Sequence, residues 1–174
     1  MPTKGIRLYG DPVLRAKAQR VDATAPSTQA LVNDLLDTLT RAGGIGLAAN
    51  QIGVESRVCI VDLSESEVGG ARYVMVNPEV ISTGEPVRGE EGCLSFPGLY
   101  VQVERPETAQ IRYETPEGCA KEIEAKGLLA RALLHEIDHL DGKLLIDGLS
   151  SARRILIAAK LKKTAKRQRR GETV

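Results

Sequence analysis

Apolar residues recur at helical spacing in "STQALVNDLLDTLTRAGG", residues 27–44, where Leu31, Leu35 and Leu39 form one line and Val32 and Leu36 widen it into a stripe. This predicts a first helix, capped by Ser27 and stopped by Gly43 and Gly44. A glycine-rich loop then runs to Gly53. Beyond it the period shortens toward two. "RVCIVDL" (57–63), "YVMVNPEVI" (73–81), "YVQVE" (100–104), "AQIRYE" (109–114) and "KEIEA" (121–125) predict strands, separated by turn signals such as "TPEG" at 115–118. Their short links favour antiparallel pairing. The helical period returns in "GLLARALLHEIDHLDG" (127–142). "SSARRILIAAKLKKTAKRQRR" predicts a last helix, capped by Ser150 or Ser151, packed through Ile155, Ala158 and Ala159, and without large apolar residues after Leu161. Helix, sheet, helix, helix is an α+β order. The expected architecture is one domain over residues 1–174, with mostly antiparallel sheets around the 127–142 helix and a helix toward each terminus.

Composition narrows the function classes. A chain of 174 residues can bury one good core. Its five aromatics, Phe96 and four tyrosines, leave that core to Leu, Ile, Val and Ala and argue against recognition of nucleic acid by base stacking. The longest aliphatic run, "ILIAA" at 155–159, is too short to cross a bilayer, and "MPTKGIRLYG" has no apolar run, so a cytoplasmic location and no membrane contact are expected. Three cysteines without framework spacing fit a reducing compartment. The net charge of +1 hides an asymmetry, because residues 160–170 carry seven of the 24 Lys and Arg and leave 17 against 23 acidic residues elsewhere, a net of −6. That basic end suits a polyanionic partner such as RNA, and equally a solvated helix terminus that frays from about residue 160.

The two histidines of the chain, His135 and His139, lie four apart around Glu136 in "HEIDH". At 100° per residue they share a helix face, separated by about 40°, so two imidazoles can bind one cation. Leu129, Leu133, Ile137 and Leu140 fall on the opposite side as a core stripe. Glu136 stands about 100° round from His135, beside a metal and not on it, where a carboxylate can take a proton from water. A surface helix with histidines among acids is the bland alternative, and it must then account for every histidine in the chain. A catalytic site usually has three protein ligands, so one is missing. Cys59 sits in the apolar run "VCIV" as an expected core residue, and Cys119 follows a turn far from the helix pattern. Cys93, in the irregular loop "GEEGCLSFPG", is the favoured third ligand, with a carboxylate as the alternative.

"GGIGLAANQIG" (43–53) lacks the lysine of a phosphate loop and the spacing of a dinucleotide fingerprint. Gln51 at its end offers an amide that donates two hydrogen bonds, suited to a developing oxyanion. Together "GIGLAANQ" (44–51), "EGCLS" (91–95) and "HEIDH" (135–139) resemble, in order, the three motifs of peptide deformylase. The likeness extends over nearly the whole chain, including "GDPVLR" and "GLLARALLHEIDHLDGKLLID".

The resemblance implies a hydrolase that removes the formyl group from the N-terminal formyl-methionine of nascent polypeptides, with Fe²⁺ as the metal and Zn²⁺, Ni²⁺ or Co²⁺ as substitutes. Carried onto this chain, it implies Cys93, His135 and His139 as ligands, Glu136 as general base and acid to water on the metal, and Gln51 with the Leu94 N–H as oxyanion donors. It also implies that Gly46 lets the peptide backbone approach, with Ile45, Glu91, Arg131 and Ala132 around the methionine pocket. A basic C-terminal end would meet the ribosome, with no DNA partner. Leu134 stands where the family more often has glutamine, and Leu145 where it has an aromatic. Arg105 pairing with Asp138 is a further expectation, with Asp138 and Arg131 flanking the ligand face and solvated charges as the alternative. The competing functions are a zincin-type peptidase with a carboxylate third ligand and a non-enzymatic, ribosome-associated metal module.

Overall fold

The structure, a computed structural model, describes residues 5–66 and 70–169, with side chains as far as Lys163. Seven strands and three α-helices follow in the order α1 (Pro26–Ala42), β1 (Gly46–Ala48), β2 (Val58–Asp62), β3 (Arg72–Thr83), β4 (Pro86–Gly92), β5 (Tyr100–Pro106), β6 (Thr108–Glu114), β7 (Ala120–Lys126), α2 (Leu128–Leu140) and α3 (Ser151–Arg169). Five of the strands make an antiparallel sheet in the order β1-β2-β3-β6-β7, while β4 and β5 form a separate antiparallel ribbon. Thus the α+β, mostly antiparallel architecture holds.

The apolar run of β2 has a structural reason. Val58 and Ile60 face the α1 side, in a cluster with Leu31, Leu35, Leu39, Leu47 and Ile52. Cys59 and Val61 face the other way, with Met75, Ile111, Leu133, Ile137 and Leu140. A strand covered by a helix on each face needs an unbroken apolar sequence, although its pairing is antiparallel. α2 therefore lies along one face of the sheet, held by Leu133, Ile137 and Leu140, with Leu129 partly buried. Truncating one of the buried leucines to alanine costs about 2–5 kcal/mol in a well-packed core.

The segment before α1 runs across several other elements and is fastened by its backbone. Arg7 N–H donates to Gln51 O (2.7 Å), Tyr9 N–H to Ser95 O (2.9 Å), Ala18 N–H to Leu140 O (2.8 Å) and Gln19 N–H to Glu55 O (2.8 Å).

Three expectations need correction. α1 starts two residues before the expected cap allows, with Pro26 at its first position and Ala25 as an N-cap without a side-chain bond, so Ser27 is not the cap. Proline fits there because its fixed φ suits the first turn and its missing N–H would have no helical partner. The glycine-rich loop also contains strand β1 and a 3₁₀ turn, Ala49–Ile52, and β4 arises from "PVRGEEG", which has no alternating pattern. Finally, α3 does not pack through Ile155 and Ala159, which are exposed, and Ala158 is only half-buried; Leu161 and the partly buried Ile157 touch the cluster of Leu14, Phe96, Leu99, Leu144 and Ile146 instead. Of the two expected caps, Ser150 Oγ accepts from Arg153 N–H (3.4 Å). The basic run lies on α3 as far as Arg169, and residues 170–174 lie outside the described residues.

Candidate metal centre

His135 and His139 sit on the α2 face turned toward the β4–β5 ribbon, and Cys93 follows directly after β4. Ligand atoms of Cys93, His135 and His139 lie within 4.8 Å of one another, the one group of this kind among the described residues. The Cys93 Sγ to His139 Nε2 distance is 3.2 Å, and the imidazole centroids are 4.9 Å apart at 72°. The other two cysteines stand elsewhere, Cys59 buried in β2 and Cys119 exposed. A sulfur and two nitrogens converging this closely fit a divalent transition metal.

The outer atoms of the histidines are treated differently. His135 Nδ1 meets Glu91 Oε2 at 3.0 Å, which turns Nε2 toward the sulfur. Glu91 is almost wholly occupied: it also accepts from Arg105 Nε (2.6 Å) and Nη2 (3.1 Å) and from Arg131 Nη1 (2.8 Å). Burial pushes its carboxyl upward, but the bonds from His135 and Arg105 and the Arg105 charge outweigh that and hold it down to about 2. Arg105 Nη1 reaches on to Asp138 Oδ2 at 2.7 Å, so the expected Arg105–Asp138 pair is present in the structure. Arg131 also donates to Val103 O (3.2 Å) and Val87 O (2.8 Å), tying both ribbon strands to α2. A Cβ on Gly89 would lie 2.8 Å from the Arg131 guanidinium carbon, so a larger residue there would displace the end of Arg131 from these bonds.

Without a metal the two imidazoles differ in charge. Burial opposes protonation of His135, yet its bonds to Cys93 and Glu91 and the Glu136 charge raise it to about 10. His139, with burial and the neighbouring His135 and Arg105 charges against it, is held well below the ordinary histidine value. A cation entering the set must therefore displace a proton from His135.

Glu136 is buried beside the ligands, and its Oε2 has no hydrogen-bond partner among the described residues. Burial drives its carboxyl up to about 7, with His135 and Arg105 restraining the rise. Such an oxygen suits a group that takes and returns a proton near neutrality. Gly46 is explained by this carboxylate, since a Cβ there would lie 2.3 Å from Glu136 Oε1.

Gln51 is held in one orientation. Its Oε1 accepts from Ala48 N–H (2.8 Å), leaving Nε2 3.2 Å from Ser95 Oγ and 3.5 Å from Cys93 Sγ. The neighbouring Asn50 donates through Nδ2 to the His139 carbonyl. Neither Ser95 nor Asn50 is singled out by the sequence motifs, although both are polar residues with no exposed surface. Ile45, Gly46, Gln51, Glu91, Leu94, Arg131, Ala132 and Glu136 line one cleft of about 480 Å³ with Cys93 and His135, a volume suited to one side chain and its flanking backbone. Exposed Tyr100 and Leu128 stand at its mouth.

Comparison with known proteins gives a consistent result. A family model described as polypeptide deformylase matches residues 3–154. A peptide deformylase of Bartonella quintana is 41% identical over 175 residues, covering 100% of this chain and 99% of the relative, and one of Natranaerobius thermophilus is 47% identical over 148 residues, covering 84% and 92%. The crystal structure of a peptide deformylase from Legionella pneumophila superposes with a TM-score of 0.89 at 40% identity, covering 97% of this chain and 99% of that one.

Proposed function

The chain belongs to the peptide deformylase family, and from that premise we propose how its own residues divide the work. It is a metal-dependent hydrolase that removes the formyl group from the N-terminus of newly made polypeptides. The convergence of Cys93, His135 and His139 beside the unpartnered carboxylate oxygen of Glu136 carries the reading. Neither the zincin-type peptidase nor the non-enzymatic module gains support from the comparisons.

Cys93, His135 and His139 hold a divalent cation, which when bound polarises the formyl carbonyl and acidifies the attacking water. Glu136 accepts the proton that water gives up and returns it to the leaving amine, so that formate and a free N-terminus result. Gln51 Nε2 and the Leu94 N–H stabilise the oxygen that becomes negative. The cleft wall of Ile45, Ala132 and the Arg131 stem receives the methionine side chain. Gly46 keeps the β1 edge open to the peptide backbone and leaves room for Glu136. Glu91, expected at the methionine pocket, acts here through His135, because its oxygens are taken by that imidazole and two arginines.

The test is incubation of the metal-loaded protein with a formyl-Met peptide and its acetyl counterpart. Formate from the first and no acetate from the second is the expected result; absence of formate overturns the reading. Fe²⁺ is the working metal in this proposal, supported by the thiolate ligand, and its oxidation makes activity oxygen-sensitive. Anaerobic purification that brings no gain in activity counts against it. The site of action is the cytoplasm, where formylated chains are made, and the basic run from Lys160 meets ribosomal RNA. Ribosome co-sedimentation that ignores both salt and deletion of 160–174 removes that contact.

A further inference from the structure

The 3₁₀ turn Ala49–Ile52 carries two adjacent amides with different targets. Gln51 points at Cys93 and Ser95, while Asn50 reaches across 89 residues of sequence to the carbonyl of His139. That partner is a carbonyl oxygen, which only accepts, so the atom facing it is the amide nitrogen. The remaining oxygen of the amide, Asn50 Oδ1, is buried and has no partner among the described residues, and the same is true of His139 Nδ1.

A purely architectural reading accounts poorly for this. Ala48, Ala49 and Ile52 around Asn50 are all buried and apolar, and an apolar side chain at 50 would bury no unpaired acceptor. The His139 carbonyl does not need Asn50 either, since Gly142 N–H already donates to it at 3.0 Å and closes the end of α2. What Asn50 adds is a direct link between the turn bearing Gln51 and the backbone of one imidazole.

We propose that Asn50 is a positioning residue: by tying the Gln51 turn to the His139 backbone it fixes the separation between the oxyanion donor and the metal ligand. This rests on the reading of Gln51 as donor and His139 as ligand. Asn50 touches neither substrate nor metal and acts only through its two neighbours. Losing partners of this kind typically costs 10- to 100-fold in metal affinity or activity.

Two variants test it, Asn50→Ala, which truncates the side chain, and Asn50→Leu, which keeps its shape without the donor. In both, kcat on a formyl-Met peptide should fall about tenfold or more with KM within about twofold, and Co²⁺ should leave to a competing chelator about tenfold faster. The ligand-field spectrum of the Co²⁺ form should change as well, and the melting temperature should hold or rise. Parental kcat and parental Co²⁺ release in either variant overturn the proposal, even if the melting temperature drops. Failure of both to fold also overturns it, by making Asn50 architectural. Gln51→Ala and His139→Ala serve as references: if the first keeps kcat, or the second keeps Co²⁺, the underlying reading fails; if both lose what they should and the Asn50 variants do not, only this proposal fails.

Discussion

Two residues in contact, Gly46 and Glu136, give the sharpest single-site expectations. An alanine at 46 would put its Cβ 2.3 Å from Glu136 Oε1, so the carboxylate must swing away. Gly46→Ala should lower kcat by about 10²-fold, the scale of a misplacement of about 1 Å, with little loss of melting temperature because β1 lies at a sheet edge. Steady-state kinetics beside a thermal melt check it, and unchanged kcat would show the carboxylate does not work from its present place. Glu136→Gln should cost about 10²–10⁴ in kcat while metal content, measured by elemental analysis, stays at the parental level. Its melting temperature should not fall, since the change removes a buried carboxylate with an unpartnered oxygen. At this scale the sequence was most informative: the helix face of His135 and His139 and the isolation of Cys93 in its loop needed only spacing and neighbours. Glu91 was named only as a pocket residue, and its tie to His135 was not legible, because its partners Arg105 and Arg131 stand 14 and 40 residues away, on other elements.

Among the elements, the β4–β5 ribbon depends most on charge. It shares no strand with the main sheet, and Arg105 and Arg131 converge on Glu91 between ribbon and α2. Glu91→Gln should therefore destabilise the protein by about 3 kcal/mol at neutral pH, leaving the buried Arg105 and the partly buried Arg131 with a weaker partner. The sign of the pH dependence follows from the lowered carboxyl. Glu91 contributes fully above its ordinary value of 4.5, and the contribution fades as pH falls toward about 2. Urea unfolding of metal-free parent and variant should thus show a gap that is full at neutral pH and shrinks below about pH 4.5; a gap constant through that range would remove the ion pairs as its source. The ribbon was only half visible in sequence. β5 alternates, whereas the glycines at 89 and 92 break any alternation in β4, where a Cβ would crowd the side-chain ends of Arg131 and Tyr100.

Across the whole molecule, a cation held by Cys93, His135 and His139 would join the loop after β4 to α2, two parts of the chain 42 residues apart at their nearest ligands. Metal removal should therefore loosen the protein as well as stop it. With free metal near 100 times Kd the stabilisation is about 2.7 kcal/mol, so a chelator should lower the melting temperature by roughly 5–10 °C, and Cys93→Ala should largely abolish that difference. The order of the helices and of the five strands other than β1 and β4 was readable from periodicity, but the role of α3 was not, because Ile155 and Leu156 look like core residues and are the most exposed large aliphatics among the described residues. The segment before α1 carried no periodic signal at all, since its fastenings to Gln51, Glu55, Ser95 and Leu140 are made by main-chain N–H groups. At exposed positions such as 7 and 19 its side chains are free to drift, whereas Leu14, Ala18 and Ala23 are buried in the core. The imino acid is barred at all four fastened positions, 7, 9, 18 and 19, where a proline would delete the donor and detach one fastening of a segment that braces three parts of the centre at once.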